Sequence, residues 1–300
     1  MKLGMVGLGR MGGNMTTRLL RGGHEVVGFA IDAASVELAV ADGAAGASSL
    51  EELVSKLEPP RLVWLMVPSG APTQSTIVKL NDLLATGDIV VDGGNSKYTD
   101  SIARAELLAE NGISFVDAGT SGGIWGLEEG YCLMVGCTQE TFARIEPILA
   151  TLAPEHGYAR VGASGAGHFT KMVHNGIEYG LMQAYGEGFE LLQKSRFDLD
   201  LPQIAELWQH GSVVRSWLLD LAAKALAEDP RLEKVSDYVE DSGEGRWTIE
   251  TALEQAVPTP AIALALFARF ASRQDESFSN KLLAALRKEF GGHAIHDKKP

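Results

Sequence analysis

Gly7-Leu8-Gly9-Arg10-Met11-Gly12 constrains the fold more than any other stretch of this chain. It is a GxGxxG motif placed between a strand-like run, Lys2–Gly7, and an amphipathic segment reaching Arg21. The first glycine permits a tight turn, the second lets a pyrophosphate approach the backbone, and the third lets the helix pack on the strand. The helix N-terminus then faces the phosphates with free N–H groups and partial positive charge. In that context the motif points to a bound dinucleotide.

The pattern continues as strand, helix, strand. Strand-like runs recur at Glu25–Phe29, Arg61–Val67, Asp88–Val91, Ile113–Val116, Tyr131–Val135 and His156–Val161. Helical patterns separate the early runs near Ala33–Ala41, Ser49–Leu57, Pro72–Leu83 and Tyr98–Glu110, and Gln139–Ala150 lies between the last two. This alternation predicts an α/β, Rossmann-like, doubly wound parallel sheet. After Gly165 only helical segments follow: Gly165–Lys194, Pro202–Gln209, Val213–Ala227, Thr248–Gln255, Pro260–Ser272 and Phe278–Glu289. The expected organisation is a dinucleotide-binding domain, 1–164, and an all-helical domain, 165–300, for substrate and dimerisation.

The end of the second strand should select the nucleotide. An acid there bonds the ribose 2′-OH, whereas a nearby Arg accepts a 2′-phosphate. Asp32 lies just past Phe29, and no Arg or Lys occurs between Gly22 and Lys56, which favours NAD and leaves NADP possible. Arg10 is placed equally for a 2′-phosphate or for solvent. Val67 and Pro68, in a loop after a later strand, should also face the cofactor. Asn95, in VDGGNS, suits a carboxamide or a substrate hydroxyl; the plain alternative is a turn before the Tyr98 helix.

Gly165–Tyr185 carries the densest chemistry. As a helix turning about 100° per residue, it sets Lys171 and Glu178 nearly in line, with His174, Asn175 and Tyr179 close on either side. Gly176, Gly180, Gly186 and Gly188 weaken such a helix, so close packing against them is expected. A lysine can act as a base only when neutral, and a free one, of pKa ~10.4, rarely is at pH 7. Burial beneath an apolar nicotinamide face would shift it toward the neutral form.

Other classes fit less well. A net charge of −13 argues against nucleic acid, and no apolar run approaches the ~18 residues of a membrane span. With a strand expected from Lys2, no signal peptide is expected. Cys132 and Cys137 match no metal or disulfide spacing and read as two buried, reduced thiols in a cytoplasmic protein. No metal site is predicted. His24, His156, His168, His210 and His296 read as surface or satisfied core residues, and Trp125, Trp208, Trp217 and Trp247 as core or interface. The acidic run Glu233–Glu244 reads as solvated.

With VDGGNS, the SGG of AGTSGG (Ala118–Gly123) and KMVHNGIEYG in that order, the chain resembles the short form of the decarboxylating 6-phosphogluconate dehydrogenases, over essentially its whole length. The resemblance implies oxidation and decarboxylation of 6-phosphogluconate to ribulose 5-phosphate with NAD(P), as in the pentose phosphate pathway. Ser121, Gly122 and Gly123 would hold the substrate carboxylate. Asn95, Lys171, His174 and Asn175 would surround the reacting carbons, with Glu178 as the second proton-transfer group. Tyr179 and Arg269 would bind phosphate. Arg287 and His293, in RKEFGGH, would reach the neighbouring subunit's site in a homodimer or higher homo-oligomer. Two departures stand out. Ser242 occupies a position where the family usually has a phosphate-binding Lys, which implies either a phosphate pocket of lower charge or compensation by Arg246. Ala30, Ile31 and Asp32 replace the Asn-Arg-Thr of NADP-using forms. The rivals are a 3-hydroxyisobutyrate-type dehydrogenase, which usually reads KxxNN, and a nucleotide-sensing protein without catalysis.

Overall fold

The computed structural model of the protein describes residues 1–296. The chain divides into two compact units, Met1–Asn175 and Gly176–Pro300.

The first unit contains β1 (Lys2–Val6), α1 (Arg10–Arg21), β2 (Glu25–Phe29), α2 (Ala33–Ala41), β3 (Ala45–Gly46), α3 (Leu50–Ser55), β4 (Leu62–Leu65), α4 (Ala71–Leu83) and β5 (Ile89–Asp92). It continues with α5 (Tyr98–Ala109), β6 (Ser114–Ser121), α6 (Gly126–Glu129), β7 (Cys132–Gly136), α7 (Gln139–Leu152), β8 (Tyr158–Gly162) and the start of α8 (Ala166–Gln193). The eight strands form one sheet in the order β3-β2-β1-β4-β5-β6-β7-β8. All neighbours are parallel except β6 and β7. The strand order reverses between β1 and β4, the place where such sheets open a ligand crevice.

Strands covered on both faces must be apolar along their length, and β4 (LVWL) and β5 (IVVD) are buried throughout. Leu3, Met5 and Trp64 pack on one face with Met15, Leu19, Ile148 and Leu152. Val6, Val63 and Leu65 pack on the other with Leu53, Ile77, Leu80 and Leu108. Each such side chain contributes about 1.5–3 kcal/mol by leaving water.

Two expectations are corrected here. The strand expected at Ile113–Val116 runs instead over Ser114–Ser121 as β6, pairing Ala118 with Val135 and Ser121 with Cys132. Its backbone is therefore taken up in a ladder, and the turn begins only at Gly122, with φ 135°. The thiols are not both buried either. Cys137 lies in the core, but Cys132 is exposed because it opens β7 at the strand's outer end.

In the second unit α8 continues, followed by α9 (Leu201–Leu207), α10 (Trp217–Glu228), α11 (Glu244–Glu254), α12 (Pro260–Ala271) and α13 (Phe278–Gly291). Asp200, Ser216 and Ser277 cap α9, α10 and α13 by accepting amide hydrogen bonds of 3.0, 3.1 and 3.3 Å. Leu201, Ala205, Leu219 and Leu226 form one buried cluster. Tyr179, Ala265 and Leu266 form another. On α8, Gly176 faces Thr248, where a Cβ would come within 2.8 Å of Cγ2. Gly180, Gly186 and Gly188 meet nothing within 4 Å, so within one chain the expected close packing holds at Gly176 alone of the four. Among the described residues no helix is long and apolar enough to cross a membrane.

Candidate active site

Gly7, Leu8, Gly9, Arg10, Met11 and Gly12 line one cavity of about 830 Å³ together with Asp32, Val67, Pro68 and Asn95. The glycines have separable reasons. Gly7 sits at φ +91°, and a Cβ there would lie 2.4 Å from the Met66 carbonyl. At Gly12 a Cβ would meet the Gly7 carbonyl at 1.9 Å, so only glycine lets α1 start so close to β1. Gly9 meets nothing within 4 Å; its bare backbone faces the cavity. A cleft of this volume, with a helix N-terminus at one wall, fits a dinucleotide.

At the far end Asp32 caps α2, accepting from the Ala34 and Ser35 amides and the Ser35 hydroxyl (3.3, 3.2 and 2.7 Å). The Ser35 hydroxyl and the two amides hold its carboxyl below the usual range. Its neighbour Ile31 is fully exposed. Ser35, Ser48 and Lys79 also line this end; Ser35 lies on α2, Lys79 on α4 and Ser48 just after β3, and no short motif marks them.

The first unit also holds Lys171, 7% exposed, and Asn175, 8% exposed, with half-buried His174 between them. Lys171 Nζ lies 3.3 Å from His174 Nδ1, and Asn175 Oδ1 lies 3.1 Å from the same nitrogen. Ser121 Oγ is 3.4 Å from His174 Nε2. One imidazole nitrogen thus serves two neighbours. Unprotonated, Nδ1 accepts from a lysine ammonium; protonated, it donates to Asn175. The imidazole's proton position is therefore tied to the charge on Lys171.

Two contacts fix this helix turn against the sheet. Gly119 on β6 backs onto Lys171, and its neighbour Thr120 lines the dinucleotide cavity. Asp117, fully buried, accepts from the Gly165 and His168 amides at 2.7 and 2.9 Å, capping α8 from across the fold. Burial pushes the Asp117 carboxyl upward. His168, fully buried, pairs its Nδ1 with Ser101 Oγ at 2.7 Å.

In the second unit Tyr179 is buried, its hydroxyl accepting from the Ser242 amide at 3.2 Å and its ring 3.6 Å beneath the Arg269 guanidinium. Arg269 also donates to the Glu240 carbonyl at 2.8 Å. The end of the acidic run is not solvated. Asp241 is bound by both Arg246 (2.7 and 3.0 Å) and Arg273 (2.7 Å), and Glu244 is buried in the first turn of α11. Counter-ions, invisible in the local composition, draw Asp241 inward; bonding to Arg246 above all lowers its carboxyl to about 2. Glu178 is half-buried on α8, while Arg287 and His293 are exposed, the latter's ring edge-on to Phe290.

The chain matches the NAD-binding domain of 6-phosphogluconate dehydrogenase over residues 2–162 and the C-terminal domain of the same enzyme over 167–298. The NAD(+)-dependent, decarboxylating 6-phosphogluconate dehydrogenase of Haloferax volcanii is 46% identical over 300 residues, covering 99% of each chain. YqeC of Bacillus subtilis is 46% identical over 298 residues, covering 99% of this chain and 100% of its own. The solved Plasmodium falciparum 6-phosphogluconate dehydrogenase superposes with a TM-score of 0.83 at 26% identity, covering 100% of this chain and 67% of that one. With both halves matched in order by the two domains of one enzyme, and relatives of equal length at that identity, the chain belongs to the 6-phosphogluconate dehydrogenase family.

Proposed function

We propose that the protein oxidises and decarboxylates 6-phospho-D-gluconate to D-ribulose 5-phosphate and CO2, with NAD preferred over NADP. The observation that carries this reading is the buried Lys171 beside His174 and Asn175, one strand residue away from the wall of the dinucleotide cavity. A nicotinamide dinucleotide, when bound, supplies the hydride acceptor. Lys171 takes the C3 hydroxyl proton as hydride leaves that carbon. Its ammonium then returns that proton to the C3 oxygen as the C1 carboxylate departs as CO2, which leaves an enediol and a neutral amine. Glu178 protonates the carbon left behind, and Lys171 recovers the enediol proton to complete the ketone. No metal is needed where an ammonium polarises the carbonyl. Asn95, Ser121, Gly122 and Gly123 orient the acid end, and Tyr179 and Arg269 hold the phosphate.

The NAD preference rests on Ile31 and Asp32, which place no cation directly after β2; the cation lining that end of the cavity, Lys79, comes from α4. We assign 1–164 to the dinucleotide and 165–300 to substrate and dimerisation, in a cytoplasmic homodimer. In support, α13 buries no side chain among the described residues, leaving Phe278 and Phe290 79% and 81% exposed. A second copy would cover that face and the open side of Gly180, Gly186 and Gly188, and would bring Arg287 and His293 to its neighbour. The test is steady-state kinetics with each nucleotide against 6-phosphogluconate, gluconate and 3-hydroxyisobutyrate. Turnover of 6-phosphogluconate at a higher kcat/KM with NAD is expected; preference for 3-hydroxyisobutyrate would overturn the substrate, and preference for NADP the cofactor.

A further inference from the structure

Helix α5 presents Ser101, Arg104 and Leu108 to the interior of the first unit, and Arg104 is 1% exposed. A guanidinium taken that far from water must meet partners for its donors. Nη1 donates to Asp92 Oδ2 at 3.1 Å and to Ser96 Oγ at 3.0 Å. Nε donates to Gln74 Oε1 at 3.1 Å, and Nη2 reaches the Gly70 carbonyl at 3.5 Å. The Ser96 hydroxyl donates in turn to Asp92 Oδ2 at 2.7 Å, while Asp92 Oδ1 accepts the Gly94 amide at 3.1 Å.

These partners belong to two segments. Gly70 and Gln74 lie in the turn after β4 and the first turn of α4. Asp92 ends β5, and Gly94 and Ser96 lie in the turn after it. Both turns reach the dinucleotide cavity, through Pro68 and Pro72 on one side and Gly93, Gly94 and Asn95 on the other. Asn95 is the exposed residue of its turn, bracketed by Asp92 and Ser96, which are both buried and both bound to Arg104.

We propose that Arg104 is a positioning residue for the reaction: from behind the cavity wall it sets the Asn95 turn against the Pro68–Gly70 turn, and so fixes where the Asn95 amide meets the substrate. This deepens the functional reading above and rests on it. A planar fork is required, because a lysine offers one charged point and cannot span Asp92, Ser96 and Gln74 together.

The experiment is a double-mutant cycle in the full-length protein, combining Arg104→Lys with Asn95→Ala. NAD affinity is measured by NADH fluorescence competition, and kcat and KM for 6-phosphogluconate at saturating NAD. Arg104→Lys is expected to lower kcat at least tenfold with NAD affinity held within twofold. In the Asn95→Ala background the same change should alter kcat by less than twofold, since the amide it positions is already gone. Should Arg104→Lys not fold, Ser96→Ala takes its place, removing the hydroxyl that links Asp92 to the guanidinium. Multiplicative losses in an active wild-type background would overturn the Arg104 assignment alone. A folded wild type that binds NAD but is inert toward 6-phosphogluconate would overturn the functional reading and this assignment with it.

Discussion

Gly119→Ala tests how the lysine is placed without touching the lysine. A methyl on Gly119 would stand 2.5 Å from Lys171 Cβ and 2.7 Å from the Gly167 carbonyl oxygen, where ordinary contacts begin near 3.4 Å. Neither neighbour can swing aside, since one is the root of a side chain and the other is backbone. The first turns of α8 must therefore move off β6 by the better part of ~1 Å. Displacement on that scale at a reacting group costs about 100-fold, or roughly 2.7 kcal/mol of barrier. Overpacking adds about 1–3 kcal/mol of lost stability. The phosphate-binding turn at Gly7–Gly12 belongs to β1 and α1, so NAD affinity should stay within twofold. The assays are thermal unfolding, NAD titration and kcat at saturating substrates. A variant with normal kcat and a lowered melting temperature would refute the reasoning, because the strain would then have been relieved without moving Lys171.

Four further outcomes are expected. Gly9→Ala should leave stability within about 0.5 kcal/mol, since its Cβ meets nothing, yet weaken NAD at least tenfold by titration; unchanged affinity would remove the pyrophosphate from that loop. Lys171→Met should cut kcat by about 10²–10⁴ with NAD affinity intact, and near-normal turnover would end its assignment as base. Arg269→Ala should raise KM for 6-phosphogluconate about 10–100-fold while scarcely changing gluconate kinetics, the loss of one charged hydrogen bond to phosphate. Asp241, lowered to about 2 from 3.8, adds stability that is full above its unfolded value and fades as pH falls toward the folded one. By denaturant titration the wild-type advantage over Asp241→Asn should be about 1–2 kcal/mol at pH 6, given the half-exposed Arg246, and roughly halve by pH 3.

The β/α alternation was legible because buried parallel strands are continuous apolar runs that contrast with the helical periodicity between them. β6 was legible only to Val116. Its second half, AGTS, has the small polar composition of a turn and is a strand only because β7, over ten residues later, pairs with it antiparallel. The glycine loop could be read residue by residue, since steric demand and ligand demand fall on the same short motif. Arg104 and Asp117 could not. A charged residue on an amphipathic helix or near a strand end reads as solvated until the fold supplies its partners from Gln74, Asp92 or the start of α8. Asp241 was hidden for the same reason, its two arginines lying 5 and 32 positions downstream.

The double grip of Asp117 on the Gly165 and His168 amides has a consequence for motion. Those two N–H groups are shut away behind a carboxylate rooted in the middle of the sheet, so they should exchange hydrogen with solvent only when the whole first unit opens. Lys171 follows His168 by less than one turn and shares its anchorage. The reactive amine then belongs to the slowest-exchanging part of the chain, and thermal fraying along the rest of α8 begins beyond it.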